Sequence, residues 1–227
     1  MEYLEAIAER GFAPIPRLFR EPEITALLGN IAESNLPRTR AGVRHALRCP
    51  QILALAKDAR LVEVASEILG GAAFPYRASL FEKLPTANWL TVWHQDTALP
   101  VRERRDLPGW GPWSVKGGVE YGHAPASALR KMISLRVHLD ESTDRNGPLR
   151  VLPGTHNLGV LTADQIRDLA TRIRPVTWGS RKGGVVAMRP LLVHSSTKSQ
   201  TPEYRRVLHV EYATETKIAA GIELAVM

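Results

Sequence analysis

From Phe74 onward the chain is cut into short runs of apolar and β-branched residues, at 76–83, 89–95, 132–139, 149–152, 184–188 and 206–213, each bounded by turn-forming residues. Runs of this length suit strands. No long amphipathic helices alternate with them, which disfavours a doubly wound parallel sheet and favours an antiparallel sandwich or barrel with helices packed against it. The first seventy residues differ: Ile24, Ala26, Leu27, Leu28 and Ile31, then Leu61, Val62, Val64, Ala65, Ile68 and Leu69, recur at helical spacing. Gly70-Gly71 is a helix stop. One further helix is expected after Thr162, where Thr162 and Gln165 form a capping-box pattern, and it should end near Arg172.

The chain has 227 residues, the length of one large domain, and shows no internal repeat or linker-like tract. It lacks an apolar stretch long enough to span a bilayer, and Met1-Glu2-Tyr3-Leu4-Glu5 does not resemble a secretory signal, so a cytoplasmic protein is expected. Cys49 is the only cysteine, which excludes an internal disulfide, a cysteine-based zinc site and an iron–sulfur cluster. A metal would have to sit on histidine and carboxylate. The formal net charge is +7, and residues 167–206 hold nine Lys/Arg against two Asp/Glu, so the excess is local. Such a patch suits nucleic acid, small anions or plain solvation.

Residues 97–131 contain four prolines, five glycines and two tryptophans, and are expected to form a long lid loop rather than a passive connection. Trp113, with Trp110, either lines a substrate pocket or clasps the loop to the barrel. Arg102, Arg104, Arg105 and Lys116 in this loop point to an anionic or carboxylate-bearing substrate, or to a solvated lid surface. Trp89, Trp93 and Trp178 read as core aromatics.

The densest chemical signal is Trp93-His94-Gln95-Asp96. At a strand end, residues i and i+2 share a face, so His94 and Asp96 can offer an imidazole nitrogen and a carboxylate oxygen to one point in space. His194, beyond the apolar run at 185–188, can supply a third ligand, completing the two-histidine, one-carboxylate set that holds iron(II) with positions left open. Gln95 should point the other way. Eleven residues past His194 stands Arg205, whose guanidinium can hold a carboxylate bidentately, and strand alternation requires that one of Arg205 and Arg206 point inward and the other outward.

With Asn146-Gly147-Pro148-Leu149-Arg150-Val151-Leu152-Pro153-Gly154-Thr155-His156 added to these passages, the sequence resembles the phytanoyl-CoA dioxygenase family of iron(II)- and 2-oxoglutarate-dependent oxygenases. The resemblance covers residues 79–213 and implies a mainly β fold with packing helices: a double-stranded β-helix, or jelly roll, with an N-terminal helical segment. Residues 1–72 would buttress a core at 73–213 carrying the lid at 97–131. It implies that His94, Asp96 and His194 bind Fe(II), and that Arg205 anchors 2-oxoglutarate. Arg136, where relatives place a co-substrate contact, would supply a second charge for 2-oxoglutarate, meet an acidic substrate, or lie on a solvated strand face. Lys83 is a candidate of the same kind. His138 would support the site, and His156 would make a structural hydrogen bond.

The implied reaction consumes O₂ and 2-oxoglutarate, yields succinate and CO₂, and hydroxylates a small molecule. Halogenating relatives replace the carboxylate ligand, whereas here Asp96 is present. Two other readings stand beside this one: a nucleic-acid dealkylase of the same superfamily, against which the passage 146–156 argues, and a cupin-like binding protein without oxidation.

Overall fold

The computed structural model describes residues 2–15, 18–34, 36–84 and 86–226. Its largest element is a seven-stranded antiparallel sheet in the order β1 (Phe12–Ile15), β12 (Val185–Met188), β9 (Ile133–His138), β14 (Arg205–Ala213), β4 (Phe74–Lys83), β3 (Gly42–Val43), β2 (Arg38–Thr39). Facing it is a four-stranded sheet ordered β11 (Val176–Trp178), β10 (Leu149–Val151), β13 (His194–Ser196), β5 (Thr91–His94). From β9 to β14 the chain passes repeatedly between these two sheets, which makes the fold the expected double-stranded β-helix.

Strand alternation gives each face of the large sheet a different task. Ala78, Leu80, Leu135, Val137, Val185, Ala187, Leu208 and Val210 point to one side and are buried with Ile24, Leu27, Ile52, Leu61 and Ala65 of the N-terminal helices. Those helices are α1 (Glu2–Arg10), α2 (Glu21–Glu33), α3 (Pro50–Ala56) and α4 (Ala59–Leu69). The last begins with Asp58 accepting from the Arg60 backbone N–H and ends at Gly70, whose φ of 71° is the left-handed C-terminal conformation that glycine adopts without a Cβ clash. On the outer side of the small sheet lies α6 (Ala163–Arg172), opened by the expected reciprocal bonds between Thr162 and Gln165 and packed through Ile166 onto Leu152 and Val193.

Two regions depart from the sequence reading. The first seventy residues are not wholly helical, because β1, β2 and β3 come from them and extend both edges of the large sheet. Pro14 fits β1 because an edge strand leaves part of its backbone unpaired, and the four-residue strand is too short to stand out from helical spacing. The segment 97–131 is not a lid loop. It forms a three-stranded sheet, β6 (Ala98–Val101), β8 (Val119–His123), β7 (Trp113–Lys116), followed by the short α5 (Ala126–Leu129). Lys116 pairs with Val119 across Gly117-Gly118, whose φ values of 60° and 79° are those of a tight two-residue hairpin turn. The strands here are brief and dense in Gly and Pro, which hides their period. A last hairpin, β15 (Lys217–Ala219) with β16 (Ile222–Glu223), packs against this subsheet through Ile218 and Ile222. Among the described residues no helix is long and apolar enough to cross a membrane.

Candidate active site

The inward face of the large sheet is polar, and the strand register stacks it into rungs. Lys83 lies opposite Arg205, Val207 between Phe81 and His138, His209 between Ser79 and Arg136, and Glu211 between Arg77 and Ser134. The small sheet supplies the other wall. There β5 and β13 run antiparallel with His94 directly opposite His194, and their ring centroids are 4.2 Å apart. Asp96, just past β5, is held by its backbone N–H to Pro190 O at 2.9 Å.

His94 Nε2 is 3.5 Å from one Asp96 oxygen, and His194 Nε2 is 3.6 Å from the other. One ligand atom from each of the three residues lies within 4.8 Å of the others, close enough to share a cation. Each imidazole Nδ1 bonds a backbone carbonyl at 2.9 Å, His94 to Val92 and His194 to Leu192. An N–H at Nδ1 leaves the Nε2 lone pair facing Asp96, the tautomer a metal requires. Burial pushes His194 down to about 4, keeping it neutral. Burial alone would raise the Asp96 carboxyl, yet His194 and His94 hold it well below the usual carboxylate range. Burial would lower His94, but its hydrogen bond to Asp96 and that carboxylate's charge raise it; metal binding releases such a proton, and two deprotonated imidazoles with a carboxylate suit iron(II). Gln95 points outward as expected, its amide bonding Gly159 O, Leu191 O and the Leu161 N–H.

Beside this cluster is a buried cationic pocket. Lys83, Arg136 and Arg205 are 1%, 7% and 3% exposed. Arg136 is therefore not on a solvated face. Lys83 Nζ donates to Ser196 Oγ and Thr197 O, while among the described residues Arg205 Nε, Arg136 Nε, Ser195 Oγ and both ring nitrogens of His138 have no hydrogen-bond partner. Burial and then mutual repulsion push Lys83 down to about 7 and Arg205 to about 9, and burial pushes Arg136 to about 10. The same causes take His138 to about 3, so it is neutral. Unpaired buried charges of one sign are costly, and a bound anion with several acceptor oxygens relieves that cost. Arg206 takes the outward position that alternation demands and forms a bidentate pair with Asp140 at 2.7 and 2.8 Å.

Two cavities share Asp96 in their walls. The inner one, about 130 Å³, is bounded by His94, His194, Arg136 and Arg205; the outer, about 250 Å³, by Arg44, Arg77, Lys116 and His123. Of the substrate candidates only Lys116 reaches either. Cross-strand pairing puts Lys116, Val119, Tyr121 and His123 on one face of the small subsheet and Trp113, Val115 and Gly122 on the other. Trp113 stacks on Trp110 at 6.2 Å and covers Gly122, where a Cβ would lie 2.5 Å from its ring; it is a clasp, not a pocket wall. Arg102 points away, pairing with Glu223 at 3.2 Å on the C-terminal hairpin.

Other residues had no role in the sequence reading or had a different one. His209 Nδ1 accepts from Arg136 Nη1 at 3.0 Å and its Nε2 lies 4.0 Å from Asp96. It shares the Arg205 face four residues on, which is the signal that could have exposed it. Arg77 pairs with Glu211 inside the barrel. Trp89 is not a core aromatic, since it lines the inner cavity with Lys83 Nζ 5.7 Å from its ring. His156 bonds Ala8 O at 3.2 Å, tying a turn to α1.

An antiparallel jelly roll with a half-buried His-Asp-His cluster beside an anion pocket has the architecture of the iron(II)- and 2-oxoglutarate-dependent oxygenases. The family described as phytanoyl-CoA dioxygenase (PhyH) matches residues 7–207, and the chain belongs to it, as an iron(II)- and 2-oxoglutarate-dependent oxygenase. It is 24% identical to L-proline trans-4-hydroxylase of Streptomyces griseoviridis, over 92% of this chain and 85% of that protein. With ectoine dioxygenase of Sphingopyxis alaskensis it shares 26% identity over 67% of this chain and 50% of the relative. Among solved structures, the epimerase SnoN from nogalamycin biosynthesis, in complex with Fe3+, alpha ketoglutarate and nogalamycin RO, superposes with TM-score 0.72 at 18% identity over 95% and 83% of the two chains. EctD from S. alaskensis, with 2-oxoglutarate and 5-hydroxyectoine, gives 0.71 at 21% over 94% and 75%. The structural likenesses bear on the fold alone.

Proposed function

We propose that the chain hydroxylates a small molecule in the cytosol, with His94, Asp96 and His194 holding iron(II) and with Arg205, Lys83 and Arg136 holding 2-oxoglutarate. The observation that carries this reading is the pocket of three buried cations opening onto the His-Asp-His cluster, since 2-oxoglutarate is a dianion. Balanced, substrate C–H, O₂ and 2-oxoglutarate become substrate C–OH, succinate and CO₂. Bound iron(II) supplies the centre at which O₂ is reduced and the keto acid decarboxylated.

The protein's part is positioning. The Arg205 fork and the Lys83 ammonium, directly opposite each other on β14 and β4, grip the distal carboxylate. Arg136 neutralises charge nearer the metal ligands, and its bond to His209 fixes the tautomer of that ring, leaving Nε2–H toward Asp96. The barrel walls hold these charges in a largely buried setting, which strengthens their hold on an anion, and the outer cavity, which also borders Asp96, offers the substrate carbon a way toward the metal ligands. The relatives named above for L-proline and ectoine support a substrate of that size class.

Anaerobic titration of the purified protein with iron(II) and 2-oxoglutarate is expected to produce a weak visible charge-transfer band, and admission of O₂ to yield succinate. Folded, iron-loaded protein giving neither would defeat the reading in favour of a binding protein. Salt-sensitive DNA binding without small-molecule turnover would point instead to the dealkylase.

A further inference from the structure

The outer cavity carries its own charge pattern, separate from the co-substrate pocket. Its wall on the subsheet side is Lys116, whose Nζ sits 5.0 Å from the Tyr121 ring, and on the large-sheet side Arg44, the residue after β3. Among the described residues neither has an acidic partner. Arg77, the third cation of this cavity, is already neutralised by Glu211 and also donates to Ala98 O at 3.0 Å. Among the described residues Asp96 is the only acid lining the cavity, and it belongs to the metal cluster. Glu120, the one acid of β7 and β8, pairs with Val115 and therefore lies on the opposite face of the subsheet.

Arg44 is held in place from the residue beside it. His45 has φ 55°, a left-handed conformation that a residue with a Cβ rarely adopts, and it is kept there by three contacts. Its Nε2 bonds Tyr121 OH at 2.9 Å, its ring lies nearly parallel to that of Tyr121 at 6.1 Å, and its edge packs on the Gly117 turn. These contacts dock the 44–45 segment on the β7–β8 hairpin, bringing Arg44 close enough to Lys116 that its charge, after burial, lowers the lysine's proton affinity. Arg44 is exposed and Lys116 half-buried, so water screens part of their repulsion, and two cations on facing walls of one cavity with no acid to pair them attract an anion into it.

Resting on the oxygenase reading above, we propose that the substrate is a net anion: a small molecule whose carboxylate is held by Arg44 and Lys116 at the outer cavity while its reacting carbon lies toward Asp96. A zwitterion is disfavoured because no free acid lines this cavity to receive an ammonium group.

The test uses protein loaded with iron(II) and saturating 2-oxoglutarate without O₂, so that the inner cations are occupied. Benzoate, cyclohexanecarboxylate and N-acetyl-L-proline are titrated calorimetrically against their primary amides, with L-proline as the zwitterion. Carboxylates are expected to bind at least about tenfold more tightly than the amides, the scale of one charge-assisted bond. N-acetyl-L-proline should outbind L-proline, and the preference for carboxylates should vanish in R44Q/K116M. The single variant K116M changes a half-buried side chain at a hairpin end, so it tests the same point if the double variant folds poorly. Amides binding as well as carboxylates, no carboxylate binding, L-proline binding best, or a preference that survives in the variants each overturns the proposal. Failure of the oxygenase reading is seen separately, in wild-type protein that gives neither the visible band nor succinate before any carboxylate is added.

Discussion

The two faces of the seven-stranded sheet are made by alternate residues of the same strands, yet they obey opposite rules. Toward the helices, β4, β9 and β14 present Ala78, Leu80, Leu135, Val137, Leu208 and Val210, all fully buried against apolar neighbours. Toward the barrel interior the same strands present Lys83, Arg136, His138, Arg205, His209 and Glu211, equally buried but charged or polar. One face lowers the free energy of folding through apolar burial. The other raises it, because three cations are taken from water with few counter-charges. A helix-facing surface strong enough to tolerate that cost lets the interior stay organised for an anion before the anion arrives.

Breaking the interior face at its metal end should have the largest effect. Asp96→Ala is expected to lower iron(II) affinity by more than the roughly 10–100-fold that losing an outer partner of a metal ligand costs, and to abolish succinate formation. Metal titration checks it, and unchanged affinity would remove Asp96 from the set. Next comes a pair of variants that separates the faces. Arg205→Leu should weaken 2-oxoglutarate binding by about 2–5 kcal/mol while leaving the ligand-free melting temperature unchanged or higher, since an unpaired buried charge is removed. Leu208→Ala, one face over, should cost about 2–5 kcal/mol of stability and leave 2-oxoglutarate affinity intact. Arg206→Ala should leave 2-oxoglutarate affinity intact, because its side chain points out of the barrel, while the loss of its mostly buried bidentate pair with Asp140 should cost about 1–3 kcal/mol of stability.

A smaller effect is set by pH. Lys83 is charged in the unfolded chain up to its ordinary value near 10.5, but is pushed down to about 7 in the folded protein. Between these values the unfolded state binds the extra proton, so this group makes stability rise with pH from about 7 to about 10. Bound 2-oxoglutarate recharges the lysine. Its affinity should therefore fall as pH rises above about 7, by at most about tenfold per unit, and Lys83→Met should flatten both profiles. The smallest change is expected for Arg102→Ala, an exposed pair with Glu223 outside both cavities: stability within about 0.5 kcal/mol and no change in 2-oxoglutarate binding.

Much of this contrast could be read in the residues. The core strands, the inward turn of Arg205 against the outward turn of Arg206, and the shared face of His94 and Asp96 all follow from a period of two. The helix ends at Gly70 and Thr162 were equally local. The subsheet at 97–131 escaped because each strand has four or five residues among many prolines and glycines, although Gly117-Gly118 between Lys116 and Val119 is a hairpin signal in its own right. The residues alone leave Trp113 between pocket wall and clasp and Lys116 a substrate candidate, and only the pairing of those strands puts the two on opposite faces.

The chemical repertoire is legible residue by residue: two histidines and an aspartate for a metal, arginines and a lysine for an anion, and the alternation that turns each one in or out. Those properties depend on neighbours one or two positions away, where backbone geometry is nearly invariant. Tertiary structure alone decided which of them meet. His194 lies opposite His94, Lys83 against Ser196, and the strained His45 against Tyr121, seventy-six residues later in the chain. Such partners are chosen by sheet register and by the packing of distant segments, and no local pattern encodes the distance between two strands that the chain visits at different times.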